Sequence, residues 1–145
     1  ELITRALNTL GKVTVAELEL AHSGRFNFGT IGPDQTPVIT LPGDPINAYI
    51  AMQLFVRPMI RTMLGSKDVF CPSVKAKLER DFQGSITGRT YLLSVLSEDN
   101  ASVLAFNDQE DFASLGGANS FIAANSGDGL KAGDLVTVIS LPRIK

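Results

Sequence analysis

The sequence predicts an α/β unit followed by an all-β unit. A β-branched run, Thr36-Pro37-Val38-Ile39-Thr40-Leu41, leads through a Pro42-Gly43 turn into a long apolar helix. Beyond position 73 the helical period disappears, and five short alternating segments follow, separated by glycine or acidic turns. The chain has 145 residues, 44% of them hydrophobic, enough for one good core or two small ones.

The elements follow in order. Residues 1–11 read as a helix with Ile3, Leu7 and Leu10 on one face, stopped by Gly11. Val13 to Leu20 alternates as a strand with one wet face. Residues 22–31 intervene, with Phe26 and Phe28 pointing the same way into the core, and Gly32-Pro33-Asp34-Gln35 turns the chain. Helix, strand, a second strand at 36–41 and a long helix predict an α/β arrangement with a parallel pair of strands. Gly43 turns the chain sharply because it can take backbone angles closed to other residues. Asp44 is placed to cap the helix, and Pro45 opens its first turn, where a missing N–H costs nothing. The helix runs to Leu64 and ends at Gly65. Its apolar residues, among them Ile46, Ile50, Leu54, Phe55, Met59 and Met63, exceed one stripe, so burial is expected on two sides, against its own sheet and against a partner subunit. Pro58 predicts a kink between Leu54 and Arg57.

In the second half, residues 74–82, 90–96, 102–106, 119–124 and 135–141 alternate, with no strong helix among them. They predict a small all-β module, a barrel or a sandwich. The boundary falls between Phe70 and Ser73, where Pro72 punctuates the join, so two domains are expected, 1–70 and 71–145.

Composition excludes several classes. With a net charge of −2 and scattered Lys and Arg, the chain is a poor nucleic-acid platform. No apolar window of roughly eighteen residues occurs and no signal-peptide pattern opens the chain. Membrane spanning and secretion are therefore not expected, and a cytoplasmic location is. One cysteine, Cys71, rules out an internal disulfide, and one histidine, His22, rules out a His-rich metal cage. The start at Glu1, already inside a helix, reads as a piece of something longer.

Three groups of residues offer chemistry. The turn Pro42-Gly43-Asp44-Pro45 aims backbone N–H groups into a crevice that suits an anion. Asp44 serves as a cap, but its charge competes with that anion, and a carboxylate there also suits a hydrated Mg²⁺ bridging to phosphate oxygens. Capping alone is the plainer role. In the polar loop His22-Ser23-Gly24-Arg25, Arg25 offers a fork of donors for phosphate or an oxyanion such as molybdate; a solvated loop arginine is the alternative. Arg89, after Gly88, and Ser114 are the candidates in the β module. No Ser-His-Asp set, Walker loop or Gly-x-Gly-x-x-Gly is present.

The order of these features resembles the C-terminal part of the molybdopterin molybdenumtransferases, the MoeA family, whose animal relative is the E domain of gephyrin. The likeness rests on Leu10-Gly11, Phe28-Gly29, Thr36-Pro37-Val38, Leu41-Pro42-Gly43-Asp44-Pro45 and Leu54-Phe55-Val56-Arg57-Pro58 with Leu64-Gly65. In the second half it continues through Pro72 to Leu78, Gly88-Arg89, Ala118 to Ile122 and Lys131 to Val138. The resemblance implies a truncated MogA-like α/β domain followed by a C-terminal β-barrel domain. It implies a homodimeric transferase that inserts molybdate into adenylylated molybdopterin with Mg²⁺, in a cleft between the α/β domain of one subunit and the β domain of the other. Pro42, Gly43 and Pro45 would then position the pterin phosphate or molybdate, with Arg25 and Asp44 as catalytic residues. His22, Ser23, Gly24, Arg89 and Ser114 would be further binding residues, and the metal ligands would lie upstream.

The sequence departs from the family in three places. The usual Lys-Pro-Gly-Lys-Pro is replaced by Ala21-His22-Ser23-Gly24-Arg25-Phe26. Without a gap, Gly24 stands where the second lysine belongs; with a one-residue deletion, Arg25 inherits its charge. Asp44 replaces the Asn of Leu-Pro-Gly-Asn-Pro, and the Gly-Ser pair before the β-domain serines is replaced near Asp108-Gln109, leaving Ser114. These departures leave open a catalytically degenerate paralogue or scaffold that keeps the fold and dimer surface, or an anion-binding MogA-like domain of other function.

Overall fold

The structure, a computed structural model, describes residues 2–16, 26–86, 88–106 and 112–142. The chain opens with helix α1 (Leu2–Leu10) and strands β1 (Gly11–Ala16), β2 (Phe26–Ile31) and β3 (Thr36–Thr40). These form a three-stranded sheet in the order β1-β2-β3. Both pairings are antiparallel, which corrects the expected parallel pair. The reason is local. Residues 26–31 form a strand of their own, and the turn at 32–35 closes it tightly on β3, with Ile31 opposite Thr36. Gly32 adopts a φ of 71° and Gln35 N donates to Gly32 O at 3.2 Å. A turn this short joins only antiparallel strands, since a parallel neighbour needs a crossover. β1 and β3 therefore run in the same direction without touching, one on each side of β2.

Phe26 is buried, whereas Phe28 is 46% exposed. The two share a face of β2, as alternation requires, but only the Phe26 end of that face is covered, so the expectation of two core phenylalanines holds for one.

After the turn at 41–44 the long helix runs as α2 (Pro45–Ala51), a π-helical segment (Met52–Val56) and α3 (Arg57–Met63). Pro58 lies just past the π segment, whose wider winding falls on the stretch from Leu54 to Arg57 where the proline disturbs the helix. Gly65, at a φ of 70°, ends the helix; its N–H donates to Thr62 O and that of Ser66 to Arg61 O. The following segment folds back along α3: the Arg61 guanidinium donates to the Asp68 carbonyl, and Arg57 Nη1 lies 3.7 Å from Cys71 Sγ.

The remaining strands, β4 (Ser73–Leu78), β5 (Arg89–Leu96), β6 (Ser102–Ala105), β7 (Ser120–Asn125) and β8 (Leu135–Ser140), close a barrel in the order β4-β6-β5-β7-β8, with β8 pairing back to β4. Only the β4–β6 contact is parallel. A six-residue helix, α4 (Phe112–Gly117), precedes β7; its Gly116-Gly117 end hides any helical period in the sequence. Alternate residues fill the interior: Leu78, Leu92, Leu96, Val103, Ile122 and Val138 form one cluster. Each such side chain contributes about 1.5–3 kcal/mol by leaving water. Two buried hydroxyls inside satisfy each other, Ser94 Oγ lying 2.8 Å from Ser120 Oγ.

A second cluster joins the two halves. Phe26, Ile46, Ile50 and Ala51 pack with Leu93, Phe121 and Leu141 of the barrel. Phe55 tilts on Phe26 at 5.0 Å between ring centroids, and Tyr49 meets Phe121 edge-on at 6.0 Å. The second side of α2 is thus covered by this chain's own barrel. A partner subunit is not what covers it, and the later part of the helix leaves Ile60, Met63 and Leu64 exposed.

Candidate functional site

Strand, turn and helix start meet at Leu41–Pro45. The end of β3 is pinned by Asn27, whose backbone N and side-chain Nδ2 both donate to Thr40 Oγ1, at 3.2 and 2.7 Å. The sequence does not mark this pair, because an Asn in a strand and a Thr thirteen residues on carry no local signal. Pro42 is buried and anchors the turn, while Gly43, Asp44 and Pro45 are exposed.

Asp44 is a helix cap. Its backbone is extended (φ −75°, ψ 127°), Asn47 N donates to its Oδ2 at 2.7 Å, and Ala48 N donates to its carbonyl at 2.9 Å. One amide that an anion would take is therefore already held by the chain's own carboxylate. Gly43 has no positive φ, so the expected reason for glycine is corrected: the turn does not use its conformational freedom. A Cβ built there meets no atom within 4 Å. What glycine leaves is open space in front of the helix start.

The other candidates are spread out. His22, Ser23, Gly24 and Arg25 lie outside the described residues. Arg89 is the exposed first residue of β5. Ser114 lies near the opposite end of that strand: it is only 7% exposed, its carbonyl accepts from Ala118 N, and the next residue, Asn119, donates its N–H to Ser94 O. Five residues of strand, about 16 Å, separate Arg89 from Ser94. Within one chain the structure does not bring Arg89 and Ser114 together. Asn119 clamps this end of the barrel: its Oδ1 accepts from Leu96 N at 2.7 Å, its Nδ2 donates to Leu96 O at 3.0 Å, and its carbonyl accepts from Leu141 N.

Among the described residues, no three His, Cys, Asp or Glu side chains converge. These residues do not by themselves make a Mg²⁺ site. Among the described residues no helix is long and apolar enough to cross a membrane.

No family profile matches the chain. Individual proteins do. Over 103 residues it is 30% identical to molybdopterin molybdenumtransferase 1 of Mycobacterium tuberculosis, covering 70% of this chain and 24% of that protein. Over 104 residues it is 29% identical to the molybdopterin molybdenumtransferase of Staphylococcus epidermidis, covering 68% and 25%. The chain spans about a quarter of the length of these curated relatives. Its fold is similar to the crystal structure of a molybdopterin biosynthesis MoeA protein from Pyrococcus horikosii, with a TM-score of 0.79 at 22% identity, over 97% of this chain and 34% of that one. A molybdenum cofactor biosynthesis protein from Pyrococcus furiosus superimposes with a TM-score of 0.68 at 17% identity, over 90% and 46%. In sequence and in fold, the chain belongs to the molybdopterin molybdenumtransferase (MoeA) family and corresponds to the C-terminal portion of its members.

Proposed function

We propose that this chain is the C-terminal part of an enzyme of molybdenum cofactor biosynthesis that inserts molybdate into adenylylated molybdopterin. In this reading residues 1–70 complete a MogA-like α/β domain and residues 71–145 are the barrel domain of a cytoplasmic homodimer. The observation that carries it is the exposed turn at Gly43–Pro45, open in front of a helix start, in a chain related to molybdopterin molybdenumtransferases. The turn holds the pterin phosphate or the molybdate, and Arg25 supplies positive charge. Arg89 and Ser114, set apart along β5, act on a cleft completed by a second subunit, His22, Ser23 and Gly24 line it, and Pro42 and Pro45 fix its edge. Asp44 keeps the helix start in place. Transfer of an oxyanion runs on positioning and charge stabilisation, so no nucleophile is required of these residues. Mg²⁺, where it takes part, would supply charge neutralisation and would be held by residues upstream of this segment.

The test uses the full-length enzyme. Arg25→Ala should lower molybdate-dependent cofactor formation at least about tenfold, the worth of one charge-assisted contact. Gly43→Ala should leave folding within about 0.5 kcal/mol, since the added methyl meets nothing, yet weaken molybdopterin binding. Unchanged binding in Gly43→Ala would reduce the turn to a folding joint.

The second reading is a scaffold or degenerate paralogue that keeps the fold and has lost catalysis. It is favoured by Asp44, whose carboxylate occupies an amide at the helix start. Titration of the full-length protein with molybdopterin separates the two, because a scaffold shows no saturable binding at micromolar ligand.

A further inference from the structure

Side-chain hydrogen bonds tie the turn at Leu41–Pro45 from both ends. On the helix side Asp44 Oδ2 accepts from Asn47 N at 2.7 Å. On the strand side Thr40 Oγ1, one residue before the turn, accepts from Asn27 N at 3.2 Å and from Asn27 Nδ2 at 2.7 Å. Between these anchors, and outside the strand ladder, Leu41, Pro42 and Gly43 take part in no hydrogen bond among the described residues. Pro42 is buried, so packing fixes its ring, and the last hydrogen-bonded point before the turn is Thr40.

Asn27 is a poor choice for strand stability. Asparagine is depleted in strands, and a buried amide costs free energy unless it is bonded. Asn27 is nevertheless only 6% exposed. It stands directly opposite Thr40 in the register, on the face of the sheet turned away from Phe26 and α2. Two of its donors meet at one acceptor, the hydroxyl oxygen that Thr40 brings to the last position of β3. An apolar cross-strand pair would serve the sheet equally well. What the hydroxyl adds is a fixed point, because it holds the end of β3 to β2 through directional bonds instead of adaptable packing.

We infer that Asn27 and Thr40 are a positioning pair for the turn: they fix the end of β3, so that residues 41–43 keep the open space before the start of α2 in one shape. The inference rests on the reading of this turn as an anion site. Both residues act through the turn and neither touches the anion. A binding turn held this way is sensitive to its supporting bonds, since small displacements of the groups that meet a ligand weaken it.

The test measures molybdopterin affinity in the full-length protein for Thr40→Val, Thr40→Ser, Gly43→Ala and Ile122→Val. Thr40→Val keeps the branched shape and removes the acceptor, and it should weaken molybdopterin about fivefold or more. Thr40→Ser keeps an Oγ and should stay within about twofold of the parent. Ile122→Val removes one methyl from the barrel interior, lowers stability to a similar degree and should leave affinity within about twofold, which separates positioning from stability. Parent-like binding by Thr40→Val, no rescue by Thr40→Ser, or an equal loss in Ile122→Val would each overturn the inference. Gly43→Ala tells the two claims apart. If it weakens molybdopterin while Thr40→Val does not, the anion site stands and the positioning pair falls; if neither weakens it, both fall.

Discussion

The barrel and the segment before it hold together by different means. Every barrel strand has a neighbour on each side, and the ring closes at β8 and β4. Closure removes the free edges that an open sheet must protect, and it wraps the strands around a core of their own residues. Among the described residues the β1-β2-β3 sheet has two open edges, and its long helix reaches a core by lying on the outside of the barrel. The barrel is thus self-sufficient, while residues 26–65 borrow its outer surface. β7 shows both arrangements in consecutive residues: Ile122 points into the barrel and Phe121 out under the helix, each fully buried.

Substitutions can break this contrast or sharpen it. Phe121→Ala should have the largest effect, about 4 kcal/mol in denaturant unfolding, because it empties the space beneath Tyr49 and beside Phe26. Hydrogen exchange should then show residues 26–65 opening while the barrel strands stay protected. Ile122→Ala should cost about 3 kcal/mol and lower the protection of both regions together, because the barrel supports both. Loss of barrel protection in Phe121→Ala alone would mean the two regions form one cooperative unit.

Asp44→Ala should cost about 1 kcal/mol through the lost cap, and Asp44→Asn nearly nothing, since an amide oxygen can accept from Asn47 N in the same way. In the full-length protein Asp44→Asn should also bind the anion proposed for this turn more tightly, because a negative charge leaves the helix start. Leu64→Ala should change stability by no more than about 0.5 kcal/mol, since Leu64 is 78% exposed and is in no described cluster.

The smallest effect is on pH dependence. The Ser97 hydroxyl and then the Ala101 N–H hold the Asp99 carboxyl below its ordinary range. A carboxyl with a lowered folded pKa stabilises the fold above its unfolded pKa, and loses that contribution as pH falls through the folded value. Ser97→Ala should therefore differ from the parent most near neutral pH, with the gap narrowing in acid. A gap independent of pH would assign it to the other hydrogen bond of Ser97, which accepts from Ser102 N.

How much of this was legible depends on how far each signal travels along the chain. Pro42, Asp44, Pro45 and Gly65 act within one turn of the helix they bound, so its start, cap and end could be read directly. The alternation of the barrel strands could be read for the same reason. Pairing direction could not, because it depended on residues 26–31 being a strand, which the intervening loop-like composition obscured. The cover over α2 could not either: Leu93, Phe121 and Leu141 lie dozens of residues away, and their outward-facing positions look like any other wet face. Phe28 shows the converse, an aromatic in a strand whose face has nothing over it. For the candidate site, the turn was legible as geometry, but the separation of Arg89 from Ser114 along β5 and the Asn27–Thr40 pin are properties of the folded sheet.

One detail of the long helix has a consequence beyond its own winding. On an uninterrupted α-helix Met52 and Ile60 would stand about 80° apart around the axis; one surplus residue in the turn between them takes back about 100°. The wide stretch at Met52–Val56 therefore works as a phase corrector. It aligns Met52, Ile60 and Leu64 into a single outward seam, opposite the side that Ile46 and Ile50 give to the barrel. Rewinding that stretch as ordinary α-helix with every residue kept would turn Ile60 and Leu64 about 100° out of the seam and leave its inner half in place.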